Sequence, residues 1–254
     1  MDLIYNLLYK INNKIMSKFY VVATPIGNLE DMSLRAIRTL KEVSLILCED
    51  TRTTKKLLNH YQINTPTLSY HQHSKTEKVS YILKLLEKQD LALVSDAGTP
   101  CISDPGVLII QQVREKFGEP ARNASGIAGA GGEVEIIPIP GPSALITALS
   151  ASGILSSEFL FLGFLPNKKG RETAFKEITE SKRTVVFYES THRIMKALES
   201  LRKHLDENRK IVIGRELTKM FEQVKYGTVS EVENYFKNNK DKIKGEFVVI
   251  VSGK

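Results

Sequence analysis

The chain has 254 residues, 42% of them hydrophobic, and a formal net charge of +7. This is enough for one large or two moderate domains with proper cores, and no apolar run approaches the length of a membrane span. The positive balance is compatible with a polyanionic partner without selecting one. The two cysteines, Cys48 and Cys101, form no C-x-x-C pair and no His/Cys cluster at ligand spacing, which points to a reducing, cytoplasmic setting and to no metal site.

Residues 1–16 read as an extension ahead of the fold. Leu3, Ile4, Leu7, Leu8, Ile11 and Ile15 sit at near-helical spacing, but a basic leader and a small-residue cleavage site are missing. Phe19–Ala23 then reads as a strand, Ser33 caps a helix to about Glu42, and Ser44–Cys48 is the next strand. A helix runs from Thr51 to near Tyr61, and Ser74-Lys75-Thr76-Glu77 has the pattern of a capping box before a helix to Lys88. Leu91–Val94 and Val134–Ile139 are apolar strands. Each is followed by a glycine-bearing loop and a helix expected to start with proline in its first turn, at Asp104-Pro105 and Gly141-Pro142. Strands alternating with helices argue for a mostly parallel sheet.

Ser152–Ser157 reads as a linker, which divides the chain into α/β domains at 17–152 and 158–254. In the second, strands are expected at Phe159–Leu165, Thr184–Tyr188, Lys210–Gly214 and Glu246–Val251, with Glu222–Thr228 as an antiparallel strand nearer an edge. Helices fit Arg171–Ser181, Thr191–Leu205 and Val229–Phe236. The run Gly126–Gly132 imitates a dinucleotide fingerprint, but it precedes a strand and opens no helix, so the mechanism behind that fingerprint is missing.

The loops after the two apolar strands, Ser95-Asp96-Ala97-Gly98-Thr99-Pro100 and Pro140-Gly141-Pro142-Ser143-Ala144, describe a small-ligand site. Glycine admits a ligand close to the backbone, and a helix's first turn offers unpaired N–H groups. With Thr24–Asp31, Glu49-Asp50-Thr51-Arg52, Ser103–Gly106, Gly163–Pro166, Phe187–Arg193, Arg215–Lys219 and Lys244-Gly245-Glu246, they form an ordered set spanning Phe19 to Lys254. The set resembles the small-subunit rRNA methyltransferase branch of the tetrapyrrole methylase superfamily. The chain departs from the family pattern in its N-terminal extension and in a longer loop at 119–132.

The resemblance implies two α/β domains of the tetrapyrrole methylase type with the cofactor cleft between them. It implies S-adenosylmethionine-dependent 2′-O-methylation of a cytidine in the decoding region of small-subunit rRNA, and a homodimer. Methylation of a tetrapyrrole carbon and a non-catalytic role in ribosome assembly are the rival readings. The cofactor residues expected are Pro25, Ser95, Asp96, Ala97, Gly98, Ser143 and Ala144. A ribose hydroxyl needs a base within reach. The candidates for the catalytic cluster are Glu49, Asp50, Arg52, Glu189 and His192, with the base left open among them and Glu216. Arg193, Arg215, Glu216 and Lys219 are expected to contact substrate. Lys168, Lys169, Arg171, Lys182 and Arg183, with Lys14 and Lys18, form a candidate phosphate-binding surface.

Overall fold

A computed structural model describes residues 16–71, 74–118 and 134–254. The chain forms two compact units, one of residues up to Pro25 together with Leu29–Gly141, the other of Ile26–Asn28 with Pro142–Lys254. The 1–15 segment, His73, and the expected loop at 119–132 with its glycine run lie outside the described residues.

In the first unit the order is β1 (Ser17–Val22), α1 (Leu34–Glu42), β2 (Leu45–Cys48), α2 (Thr51–His60), β3 (Thr67–Ser69), α3 (Thr76–Leu86), β4 (Leu91–Leu93), α4 (Gly106–Phe117) and β5 (Val134–Ile139). The five strands pair in the order β3-β2-β4-β1-β5, every pair parallel. Alternate side chains point to opposite faces of a strand, and here both faces are apolar. Phe19, Leu47, Leu91 and Leu93 pack with Ile82 and Leu86 of α3 and Ile109 and Val113 of α4. Val22, Ile46, Cys48, Ala92 and Val94 pack with Ala36 and Leu40 of α1 and Leu58 of α2. Helices therefore cover both faces, as a parallel sheet requires.

The second unit contains α5 (Ala144–Ser150), β6 (Phe159–Phe164), α6 (Arg171–Glu180), β7 (Thr184–Ser190), α7 (Ile194–His204), β8 (Lys210–Arg215), β9 (Gln223–Thr228), α8 (Val229–Asn238) and β10 (Glu246–Val251). Its sheet runs β6-β7-β10-β8-β9. Only the β6–β7 pair is parallel, and β9 lies antiparallel at the edge, as its sequence suggests. One face buries Phe175, Ile194, Leu198, Val232 and Phe236 against Val185, Phe187, Ile213 and Val249. The other packs Leu145, Ala148 and Leu149 of α5 against Val186, Val212, Val248 and Ile250.

That second core explains why the chain divides between Gly141 and Pro142 and not at the polar stretch 152–157: the apolar stripe of α5 is buried on the second sheet. Other differences are local. The short, half-buried edge strand β3 is not among the elements expected from sequence. Ser74 accepts from the His71 N–H at 3.0 Å, and α3 begins after Lys75 with no side-chain cap, so the expected capping box does not form. A true one closes α8, where Thr228 and Glu231 exchange bonds. Proline stands just outside both helices in the place expected for it inside: Pro105 is the N-cap of α4, and α5 starts only at Ala144. Arg209, 6% exposed, donates to the carbonyls of Ile178 and Thr179 at 2.9 and 2.6 Å. It thereby satisfies orphan groups at the end of α6.

Candidate functional site

In a parallel sheet the residues after each strand emerge along one edge, and here β1, β2 and β4 place their following loops side by side. Thr24 and Gly98 form a two-way backbone bridge, with N···O distances of 2.9 and 3.0 Å. The Thr24 hydroxyl donates to the Ser95 carbonyl at 3.2 Å, and the Ser95 hydroxyl to the carbonyls of Ala97 and Gly98 at 3.3 Å. Gly98 has φ of 84°, where a Cβ is disfavoured. Cys101 and Ser103 follow with φ of 72° and 66°, so this loop carries backbone strain of the kind that concentrates at functional sites. It ends where Asp104 Oδ1 accepts from the Gly106 N–H at 2.7 Å.

Carboxylates gather at the same edge. The Asp50 N–H donates to Asp96 Oδ1 at 3.1 Å, which draws the β4 loop to the end of β2. Asp50 itself is the N-cap of α2, accepting from the Arg52 N–H at 2.8 Å and binding its guanidinium at 2.7–3.2 Å. Those bonds hold its carboxyl down at about 2. Glu49 is different. Burial pushes its carboxyl above the usual range, and the Asp104 and Asp96 carboxylates push further, opposed only by a backbone bond at Asp96. Asp50 and Arg52 thus act as a cap and its exposed ion pair, while Glu49 holds its proton more readily than an ordinary glutamate.

Cys48 and Cys101 are free, and burial pushes both thiols up, Cys101 to about 11. Neither is poised as a thiolate. Among the described residues no group of three or more His, Cys, Asp and Glu is arranged to hold a metal ion, and no helix is long and apolar enough to cross a membrane.

In the second unit, the residues expected to act on substrate are largely held by the protein. Glu189 is wholly buried and paired with Arg171 at 3.1 Å and Arg193 at 2.7 Å. Arg193 also donates to the Leu165 carbonyl at 2.9 Å and to Asn167 Oδ1. Arg171 therefore leaves the proposed basic surface for the interior. Arg215, 7% exposed, donates to the carbonyls of Lys244 and Phe221 at 2.8 and 2.9 Å, so its guanidinium fastens loops. Glu216 accepts from the Glu246 N–H at 2.9 Å and pairs with Lys219 at 3.0 Å. Lys219 also reaches Glu246 at 2.9 Å. Burial opposes the charge of Lys219, but the two carboxylates outweigh it and hold its pKa up. Burial likewise works against ionised Glu216, and the Glu246 N–H and Lys219 outweigh it. His192 is exposed at the turn between β7 and α7.

The tripeptide Ile26–Asn28 belongs to this unit. The Asn28 N–H donates to Thr218 Oγ1 at 3.1 Å, and a Cβ on Gly27 would overlap the Lys219 side chain. Ser143 occupies the N-cap position of α5 in extended conformation, yet its hydroxyl makes no cap bond. The Leu145 N–H is bonded instead to the Tyr188 hydroxyl, whose proton burial holds on above its usual range. Sequence reasoning gives Asp104 only a capping role and Tyr188 none. Pro105 takes the N-cap position expected for Asp104, which bonds the Gly106 N–H from one residue further out, and its proximity to Glu49 arises from tertiary packing that no local spacing encodes.

A family model for Tetrapyrrole (Corrin/Porphyrin) Methylases matches residues 18–233. A protein of Haemophilus influenzae named "Ribosomal RNA small subunit methyltransferase I" is 44% identical over 237 residues, 92% of this chain and 78% of the relative. One of the same name from Halalkalibacterium halodurans is 48% identical over 237 residues, 92% of this chain and 75% of the relative. Among solved structures, uroporphyrin-III-C-methyltransferase from Thermus thermophilus superposes with a TM-score of 0.60 at 15% identity, covering 93% of this chain and 94% of that one. The methyltransferase CobJ gives 0.62 at 17%, with 93% and 94% covered. These two likenesses bear on fold alone; with the family model and the closer relatives, they mean that the chain belongs to the tetrapyrrole methylase family.

Proposed function

We propose that the chain transfers a methyl group from S-adenosylmethionine to the ribose 2′-oxygen of a cytidine in the decoding region of small-subunit rRNA. The observation that carries this reading is the pair of relatives named for small-subunit rRNA methylation, 44% and 48% identical over more than nine-tenths of the chain. The two solved methyltransferases share only the fold at 15–17% identity.

S-adenosylmethionine supplies, when bound, an electrophilic methyl carbon on a positively charged sulfonium. The first-unit loop fits such a group. The Asp96 carboxylate, with one oxygen on the Asp50 N–H, keeps acceptor capacity for a ligand, and the left-handed Gly98 lets a ligand approach the backbone. Pro25 follows the Thr24 bridge to that loop. Ser143 keeps a hydroxyl that its own helix does not use, and Ala144 beside it adds no bulk. In this reading Pro25, Ser95–Gly98, Ser143 and Ala144 hold the donor. Glu49 is the base, because its pKa is raised by burial and carboxylate neighbours; it takes the proton of the ribose hydroxyl. Asp96 positions the donor and, through the Asp50 N–H, the end of β2 that carries Glu49. Lys219 is left as the substrate contact of the second unit, and His192 as a second catalytic candidate. The reading includes a homodimer, which sedimentation equilibrium tests.

The deciding experiment supplies methyl-labelled S-adenosylmethionine to the protein with undermethylated small ribosomal subunits and maps the label. Label on one cytidine 2′-oxygen supports the proposal. No label despite demonstrated cofactor binding, or label on a tetrapyrrole carbon in a parallel reaction supplied with that substrate, overturns it. Asp96→Ala separates catalysis from an assembly role: transfer is lost while subunit association persists.

A further inference from the structure

At the end of the second sheet opposite Glu189 lies a cavity of about 490 Å³, within the range of small-ligand pockets. Thr184 at its rim and Glu189 are five residues apart along β7, so it stands roughly 15–20 Å from the strand ends described above. Four cationic side chains line it, Lys182, Arg183, Lys210 and Lys254, against one acidic side chain, Glu158. The cations come from the turn before β7, the first residue of β8 and the segment after β10.

The scaffold beneath them is fixed. A Cβ on Gly253 would overlap the Lys182 carbonyl, so the two backbones are in direct contact. The Ser252 N–H donates to the Lys210 carbonyl at 3.0 Å, and the Lys254 N–H to that of Ser181 at 2.9 Å. Arg209 donates to the Ser252 carbonyl at 2.7 Å. The pocket also has an aromatic wall. Tyr226 is 53% exposed on the edge strand β9, and the Lys210 ammonium stands 5.9 Å from its ring centre.

A cluster of cations beside an exposed ring is the chemistry that recognises phosphate and nucleobase together. We infer that this pocket is a docking site for single-stranded RNA, with Lys182, Arg183 and Lys210 on phosphates and Tyr226 stacked on a base. The inference rests on the functional reading above: the strand is rRNA outside the reacting nucleotide. Phosphate contacts of this kind position a substrate and carry no sequence information.

The test measures binding of a fluorescent single-stranded RNA 12-mer to the full chain across a salt series. Replacing Lys182, Arg183 and Lys210 together by glutamine should weaken binding at least tenfold at about 0.1 M salt. The log–log salt slope should flatten by about 2, since each phosphate no longer neutralised removes about 0.7. Tyr226→Ala should weaken binding about fivefold or more with the slope unchanged, and Tyr226→Trp should restore it. Equal affinity and slope in a triple variant with unaltered melting overturns the inference, as does wild-type protein that binds no RNA. The functional reading fails separately. If the label experiment finds no rRNA methylation but the slope changes as expected, the docking site stands without it; if methylation occurs and the slope does not move, the docking site alone falls.

Discussion

Glu49 follows β2 in the first unit and is half-buried, Glu189 lies near the end of β7 in the second and is wholly buried, and their surroundings are opposite. Glu49 meets two further carboxylates, Asp104 and Asp96, and its pKa rises. Glu189 is enclosed by two arginines whose remaining donors tie down the loop at 165–167. A buried carboxylate with cations on both sides organises structure, whereas one crowded by like charges is left able to exchange a proton. Sequence alone offers two acidic residues at two strand-to-helix junctions, and their neighbours across the sheet assign the different work.

The largest expected effect tests the first half of that contrast. Glu49→Gln should lower kcat by about 10²–10⁴ with stability unchanged or slightly raised, since it removes a half-buried charge from like neighbours. In the parent the acidic limb of kcat/KM should lie above the ordinary glutamate range, because activity requires the ionised form of a group whose pKa is raised. A limb at the ordinary value, or a fully active variant, removes Glu49 as the base.

Glu189→Ala should act the other way round. Two partly buried guanidinium groups lose their buried counter-charge, and urea unfolding should register a loss of about 3–5 kcal/mol. A change under about 1 kcal/mol would mean that the arginines find other partners readily. Next in size is Gly98→Ala, which places a Cβ on a residue at φ of 84°. A cost of roughly 1–2 kcal/mol is expected, with KM for the methyl donor raised more than stability alone explains. The smallest effect belongs to Arg52→Ala. The folded pKa of Asp50, about 2, lies below the unfolded value near 3.8, so its pairing stabilises the fold above that unfolded value and is lost as pH falls toward 2. The variant should melt slightly below the parent at pH 7, and the difference should close as pH falls from about 4 toward 2.

Much of this was legible in the residues. Apolar runs mark β1, β2, β4, β5, β6, β7, β8 and β10, and the expected antiparallel strand nearer an edge is β9. β3 is not marked, because Thr67-Leu68-Ser69 is too short for a periodic signal. The patterns Ser74-x-x-Glu77 and Thr228-x-x-Glu231 are equivalent on paper. Only the second closes a capping box, because Ser74 turns back to the His71 N–H. In the site, Ser95–Gly98 and Glu49–Arg52 were found by position, but Glu49 and Asp50 could not be ranked: adjacent residues on a strand end point in opposite directions, and what each meets is a tertiary fact. Arg193 and Arg215 read as substrate contacts because local sequence cannot show carbonyls already waiting inside.

The placement of Ile26–Asn28 in the second unit bears on how the chain comes into being. Asn28 and its partner Thr218 are separated by 190 positions, so during synthesis the tripeptide emerges long before the loop that receives it. The first sheet can assemble once β5 is made, while residues 26–28 must wait for Glu216–Lys219. Loop closure over such a span is slow relative to local pairing, and the second unit cannot be produced whole from a message starting at Pro142. Expressing residues 142–254 alone would leave the Lys219 side chain without the glycine backbone it packs on, and supplying the tripeptide on a separate strand would have to restore it.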